Sequence, residues 1–166
     1  MDKIHLIKNV LADDERKKLI EDSIPLLKNE KQLSEYFKKD GGFPGKQTFS
    51  DLYLNSKFAF SFNHMVDMIF KETGLNLEIR AAWVNCTNGK NKDMCWHSHR
   101  HDYALVYYMK TFPFFSNGTL FREPRGFVKA PQNSLILFPG RWEHSAPSSL
   151  FRFSRYTVAI NLNIRT

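Results

Sequence analysis

The second half of the chain is a succession of short apolar or alternating runs separated by polar turns. Runs of this length and spacing are typical of a β-sandwich or a β-barrel. Fifteen Phe and six Tyr among 166 residues strengthen this prediction, because aromatic side chains pack well on pleated sheets. The predicted strands are Leu75–Val84, Tyr103–Met109, Thr119–Phe121, Gly126–Lys129, Ser134–Phe138 and Tyr156–Ile164.

The first half has helical periodicity instead. Residues 11–39 carry acidic residues where a first turn would lie, and Pro25 predicts a break in this helix. Residues 57–73 predict a second helix, which Gly74 ends, and the turn cluster Asp40–Gly45 separates the two. We therefore predict one α+β domain over residues 1–166, with a helical support region over 1–75 and a β-core that carries the chemistry over 76–166.

The composition is that of an ordinary globular protein with a basic balance. The chain has 24 Lys and Arg against 17 Asp and Glu, so its formal charge is +7. Such a charge favours an acidic partner, although a solvated basic surface would explain it equally well. The aromatic residues alternate within strands and are not interleaved with Lys and Arg, which argues against a single-stranded nucleic-acid module.

Compartment signals are few. The N-terminal segment contains no apolar run of signal-peptide length, and no stretch approaches the roughly 20 apolar residues that span a bilayer. We therefore expect a cytoplasmic protein, in the host cytoplasm if a phage encodes it, with no membrane partner. Cys86 and Cys95 flank a polar loop, and without a secretory signal we predict that they are free thiols.

A group of histidines provides the first indication of function. His97 and His99 directly precede a predicted strand, and residues i and i+2 of an extended segment face the same side. His144 follows 45 residues after His99, beyond the Pro139-Gly140 turn. Three ligands from two segments can hold one face of an octahedral metal and leave the other face open, as in non-haem Fe(II) sites. His101 shares the same face and is a reserve ligand.

A second polar pair lies at the start of the last predicted strand. Arg155 and Thr157 share a strand face. A buried guanidinium beside a hydroxyl is suited to binding a carboxylate through two parallel hydrogen bonds.

At this point the chain resembles the 2-oxoglutarate- and Fe(II)-dependent oxygenases. Within them it is most similar to the small oxygenases of marine bacteria and their phages that are related to prolyl hydroxylases. The resemblance covers roughly residues 82–163. It rests on the order of Ala82-Trp83-Val84-Asn85, His97-Ser98-His99, Val106-Tyr107-Tyr108, Gly118-Thr119-Leu120-Phe121-Arg122-Glu123-Pro124-Arg125, Leu137-Phe138-Pro139, Glu143-His144 and Arg155-Tyr156-Thr157.

The resemblance implies a double-stranded β-helix, or jelly roll, and a hydroxylase that uses Fe(II), 2-oxoglutarate and O2, with ascorbate as a candidate reductant. The reaction converts 2-oxoglutarate to succinate and CO2 while an unactivated C–H bond is oxidised. His97 and His144 match iron ligands. Arg155, with Thr157, matches the residues that bind the distal carboxylate of 2-oxoglutarate, and Tyr108 resembles a strand tyrosine aimed at the same carboxylate. No catalytic residue beyond the metal ligands is implied.

The third ligand departs from the usual pattern. The common motif is His-x-Asp, whereas this chain has His99 at that position, as small phage-type members also tend to have. We favour His99, because it shares a face with His97. Asp102 and Glu123 remain alternative ligands.

Two other functions fit the same histidines. A cupin-type metalloprotein could use three histidines without 2-oxoglutarate, and a non-catalytic module could retain a structural metal. A protein side chain, a free amino acid, a nucleobase or a small metabolite would all fit the scaffold, so the sequence does not identify the substrate. Two arginines near the predicted mouth, Arg125 and Arg141, are candidate substrate contacts, and Trp96 and Trp142 are expected to wall the pocket.

Overall fold

The structure is a computed structural model that describes residues 3–37, 45–88, 95–111, 117–147 and 153–165. Most of the predicted turn Asp40–Gly45 and most of the loop between the two cysteines lie outside these ranges. The helices are α1 (Asp13–Ser23), α2 (Glu30–Phe37) and α3 (Ser56–Thr73). The strands are β1 (His5–Lys8), β2 (Lys46–Gln47), β3 (Leu77–Thr87), β4 (Tyr103–Lys110), β5 (Gly118–Phe121), β6 (Gly126–Lys129), β7 (Ser134–Pro139), β8 (His144–Ser145) and β9 (Arg155–Ile164).

Residues at the helix ends explain where the helices begin and end. Pro25 lies in a short 3-10 turn after α1, which confirms the predicted break. The Asn55 side chain accepts a hydrogen bond from the Lys57 N–H at the start of α3, and Gly74 ends α3 at φ +73°. The buried face of α3 is formed by Phe58, Phe62, Met65 and Ile69. None of the described helices is long and apolar enough to cross a membrane.

The strands form two sheets. The large sheet has the order β1-β7-β4-β9-β3-β2, and the small sheet has the order β6-β5-β8. An isolated antiparallel bridge between His97 and His144 continues the small sheet beyond β8. Antiparallel sheets connected in this order are those of a double-stranded β-helix, so the predicted fold is confirmed.

The sequence predicted a helical first half of the chain, but the structure also has two short strands there. β1 pairs with β7 and β2 pairs with β3, so both extend the large sheet at its edges. These strands are only four and two residues long, too short for a periodicity to be read from sequence. The support region therefore contributes strands as well as helices.

The two faces of the large sheet have different neighbours. One face packs on α1 and α3 through residues such as Leu105, Leu137 and Ile160. The other faces the small sheet, where Tyr108, Phe121 and Phe138 form a second core. This interior between the sheets holds the predicted site.

Candidate active site

Three histidine rings meet at one end of the barrel interior. His97, His99 and His144 each offer a ring nitrogen, and these atoms lie within 4.8 Å of one another. Their ring centroids are 4.3 to 5.2 Å apart, and the cluster contains no carboxylate. The structure therefore brings together the three histidines that the sequence proposed as one group.

Backbone hydrogen bonds hold these residues in place. The His97 N–H donates to the His144 carbonyl at 3.1 Å, and the His144 N–H donates back to His97 at 2.9 Å. The His99 N–H donates to Gly140 at 2.7 Å. A Cβ at Gly140 would collide with the His101 carbonyl, so glycine is required at this turn. The sequence predicted an extended segment here, and in the structure His97 forms an isolated bridge while His99 lies outside any strand.

The rings are prepared to bind a metal as neutral imidazoles. Nδ1–H of His97 donates to the Cys95 carbonyl at 2.8 Å, and Nδ1–H of His144 donates to Trp142 at 2.9 Å. Each bond places the ring proton on Nδ1, so the lone pair that a metal ligand needs is on Nε2. Burial lowers the pKa of His99 to about 3 and that of His144 to about 4, and the neighbouring histidines add to both shifts. Protons therefore compete weakly for these two nitrogens at neutral pH.

The alternative ligands are engaged elsewhere or exposed. A carboxylate oxygen of Asp102 accepts the Ile164 N–H at 2.9 Å, and Glu123 lies exposed in the turn after β5. His101 Nδ1–H donates to the Asn163 side chain at 3.2 Å. None of the three belongs to the histidine cluster.

Arg155 is a buried cation at the start of β9. It is 6% exposed, its Nε has no hydrogen-bond partner, and no carboxylate of the described residues pairs with it. Desolvation lowers its pKa, although guanidinium remains charged. A buried charge without a counter-ion is costly, so this position suits an anionic ligand.

The two other residues predicted to bind the co-substrate lie beside Arg155 in the sheet. Thr157 pairs with Tyr108 across β9 and β4, and both side chains face the interior. The Tyr108 hydroxyl lies 2.6 Å from the Thr119 hydroxyl, and burial raises its pKa to about 12. Tyr107 faces the helices and donates to Asn133, so only one of the adjacent tyrosines faces the site, as expected.

Trp142 lies under a cation near the site. The Arg125 guanidinium stacks 3.6 Å from the centre of the Trp142 ring. Trp142 is 8% exposed, and its carbonyl orients His144. Arg141, the other predicted substrate contact, is exposed.

A second arginine–tryptophan pair lies on the other ligand segment. Arg122 stacks 4.3 Å from the ring centre of Trp96, the residue before His97. Arg122 also pairs with Glu143 at 3.3 Å. Both tryptophans thus act as platforms for arginine at the edge of the site.

Sequence reasoning missed several residues of the interior. Trp83 lies with its ring centre 6.0 Å from that of His99, and Thr119 holds the Tyr108 hydroxyl. Asn161 is buried on the same face of β9 as Arg155, which the strand's period of two could have indicated.

Several solved structures have a similar fold. A prolyl hydroxylase from Trichoplax adhaerens, in complex with a peptide fragment of the hypoxia inducible factor oxygen degradation domain, is 14% identical. It matches with a TM-score of 0.69 over 99% of this chain and 84% of that one. The viral collagen prolyl hydroxylase of Paramecium Bursaria Chlorella virus-1, in a 2OG complex, is 13% identical, with a TM-score of 0.64 over 96% and 94%.

A third similar structure is EctD from S. alaskensis with 2-oxoglutarate and 5-hydroxyectoine. It is 12% identical, with a TM-score of 0.68 over 98% of this chain and 72% of that one. No protein-family model and no curated protein matches the chain. At these identities the similarity establishes a shared fold.

Proposed function

We propose that this protein is an Fe(II)- and 2-oxoglutarate-dependent dioxygenase that hydroxylates its substrate. The observation that carries the proposal is the pairing of two features on one barrel interior. One is a cluster of three histidines, and the other is the buried guanidinium of Arg155, whose Nε has no hydrogen-bond partner and which pairs with no carboxylate of the described residues. A metal site alone would not require a buried cation without a counter-ion.

The donor set fits a divalent metal. His97, His99 and His144 would hold the ion through imidazole nitrogens and leave positions open, which suits Fe(II). When bound, iron supplies the site of O2 activation, and the overall reaction converts C–H, O2 and 2-oxoglutarate to C–OH, succinate and CO2. Three neutral imidazoles leave the ion's 2+ charge uncompensated, and this strengthens its attraction for an anionic co-substrate.

Arg155 and its neighbours would hold the far end of that co-substrate. 2-Oxoglutarate is a dianion, so one carboxylate can meet the metal and the other the guanidinium. The Thr157 hydroxyl can donate to the same carboxylate, since it faces the interior beside Arg155. The phenol of Tyr108 stays protonated at neutral pH and can donate its O–H.

The edge of the site supports a polar or aromatic substrate. Arg125 on Trp142 and Arg122 on Trp96 present cations and ring edges close to the ligand segments. The substrate class is a protein side chain or a small molecule. Two similar structures carry the name prolyl hydroxylase, and one holds a peptide, so proline-containing peptides are the first substrates to test.

Anaerobic titration tests the proposal. Fe(II)-loaded protein titrated with 2-oxoglutarate should develop a weak visible metal-to-ligand charge-transfer band. The band should weaken in Arg155→Ala, because the distal carboxylate loses its cation. It should vanish in His99→Ala, because the metal loses a ligand.

Three other results of these experiments would contradict the proposal or its ligand assignment. Folded, iron-loaded protein without a band would favour a cupin-type enzyme or a structural metal site. Arg155→Ala protein that keeps full turnover and shows no change in its response to 2-oxoglutarate would contradict the proposal, because the proposed co-substrate site needs this arginine. A band that survives His99→Ala would return Asp102 and Glu123 as ligand candidates.

A further inference from the structure

Two asparagines on one face of β9 differ in how their side chains are used. The Asn163 side-chain oxygen accepts from His101 Nδ1–H at 3.2 Å and from the Asp102 N–H at 3.3 Å. Asn161, two residues earlier, is 8% exposed, and its Oδ1 is buried without a hydrogen-bond partner. A buried acceptor left unpaired costs about 1–3 kcal/mol, so a partner is expected. The Asn163 oxygen therefore has partners within the protein, whereas the Asn161 oxygen has none among the described residues and could accept a hydrogen bond from a ligand.

The neighbours of Asn161 on the sheet are small residues. Three alanines flank it on the interior face: Ala104 opposite it on β4, Ala81 opposite it on β3, and Ala159 two residues before it. Ala81 and Ala159 stay half-buried although they face the interior between the sheets. We call this surface of three alanines the alanine floor, and Asn161 is the polar residue among them.

This floor lies close to the histidine cluster. Ala104 pairs with Phe138, whose ring centre is 4.8 Å from that of His144. Ala159 pairs with Trp83, whose ring centre is 6.0 Å from that of His99. Asn161 is therefore flanked by residues whose partners contact two of the three histidines.

The chemistry of the unpaired atom selects its partner. An amide oxygen only accepts hydrogen bonds, and the ionised carboxylates and keto group of 2-oxoglutarate also only accept. The co-substrate therefore leaves this oxygen unpaired. We propose that Asn161 determines substrate specificity by accepting a hydrogen bond from an N–H or O–H group of the substrate, which sits over the alanine floor. The proposal rests on the proposed function for what happens to that substrate.

Paired small probes can test the donor preference without the natural substrate. Mn(II)-loaded protein with 2-oxoglutarate is mixed with N-methylacetamide or with N,N-dimethylacetamide. Both carry the same acceptor, but only the first carries an N–H. The paramagnetic relaxation of the probe methyl protons reports binding near the metal. One hydrogen bond predicts about threefold to tenfold stronger relaxation of the N-methyl probe.

Variants assign the preference to Asn161. In Asn161→Leu the two probes should relax equally, because the acceptor is gone. Asn161→Asp keeps an acceptor of the same size, so the preference should persist there even if the leucine variant folds poorly. Asn163→Ala is the matched control on the same strand, and it should lower thermal stability while the preference remains.

Three outcomes would overturn the inference. Equal relaxation of the two probes in the unmodified protein would mean that Asn161 meets no donor group. A preference that survives Asn161→Leu would place the acceptor elsewhere. A charge-transfer band that disappears from the Fe(II) and 2-oxoglutarate complex of Asn161→Leu would assign the residue to the co-substrate. Absence of that band in the unmodified protein would instead reject the proposed function, and the Mn(II) probes would still test the Asn161 site.

Discussion

The two faces of the large sheet come from the same strands but have opposite chemistry. On β9, the residues toward the helices are Val158, Ile160 and Leu162, each fully buried. The alternating residues toward the barrel interior include Arg155 and Asn161. One face buries apolar area, which stabilises the fold, whereas the other contains groups that burial alone would disfavour.

The buried polar side chains of the two faces also differ in their partners. Tyr107, on the helix side, donates to Asn133 at 2.8 Å, and the same asparagine also binds the backbone of Leu11. Arg16 on that side reaches the Met109 carbonyl and pairs with Asp13. On the barrel side, Arg155 Nε and Asn161 Oδ1 are buried without partners, and on the helix side so is Arg16 Nε. The Arg16 guanidinium is nevertheless paired with Asp13 through another nitrogen, whereas no carboxylate of the described residues pairs with Arg155. The barrel side is therefore the side that suits an anionic ligand.

Truncation on the helix side should produce the largest loss of stability. Phe62 is fully buried on α3, and Phe62→Ala should lower the free energy of unfolding by about 3–5 kcal/mol, as measured by urea denaturation. Phe60 on the same helix is 68% exposed, so Phe60→Ala should change it by less than about 0.5 kcal/mol. Folded Phe62→Ala protein should keep the charge-transfer band of the Fe(II) and 2-oxoglutarate complex. Loss of this band would show that packing on the helix side also determines the geometry of the metal site.

The barrel side should make the metal-free protein sensitive to acid. His99 and His144 have folded pKa values of about 3 and about 4, below the ordinary 6.5, mainly because burial disfavours the charged ring. The unfolded chain therefore binds more protons below pH 6.5. Stability that is complete above that pH should fall by a few kcal/mol as the pH drops to about 4.

Chemical denaturation of metal-free protein at a series of pH values measures this fall. The double variant His99→Gln, His144→Gln should have a flatter profile over the same range. Profiles of equal slope would mean that these rings are not buried in the neutral form.

The sequence predicted the longer strands of this arrangement and missed the short ones. Apolar or alternating runs located β4, β7 and β9 to within one or two residues, because each strand is long enough to show such a run. β8 has two residues, so no local pattern marks it. His97 and His99 share a site because Gly140 and His144 hold their backbone, a long-range contact that sequence spacing cannot reveal.

Removing the buried cation should stabilise the apoprotein, the opposite of the effect on the helix side. Arg155→Met replaces a buried charge that no carboxylate of the described residues pairs with by an apolar side chain of similar length, so the metal-free protein should gain about 1 kcal/mol or more. The same variant should bind 2-oxoglutarate much more weakly, as anaerobic titration would measure. Arg80→Met, at an exposed position paired with Glu78, is the control and should change neither. A clear loss of stability in Arg155→Met would mean that the guanidinium supports the fold.

The arginines at the edge of the site should give the smallest effect, because they lie at the margin of both faces. Arg125→Gln removes an exposed cation stacked 3.6 Å from the Trp142 ring centre, which should cost about 0.5–1 kcal/mol of stability. The charge-transfer band should not change, since the Trp142 carbonyl that orients His144 belongs to the backbone. Arg122→Gln is the matched variant on Trp96 and also loses the Glu143 ion pair, an exposed contact of at most about 1 kcal/mol. If Arg125→Gln weakened the band, the stacked pair would be fixing the position of His144, and the chemistry of the barrel side would extend to the surface.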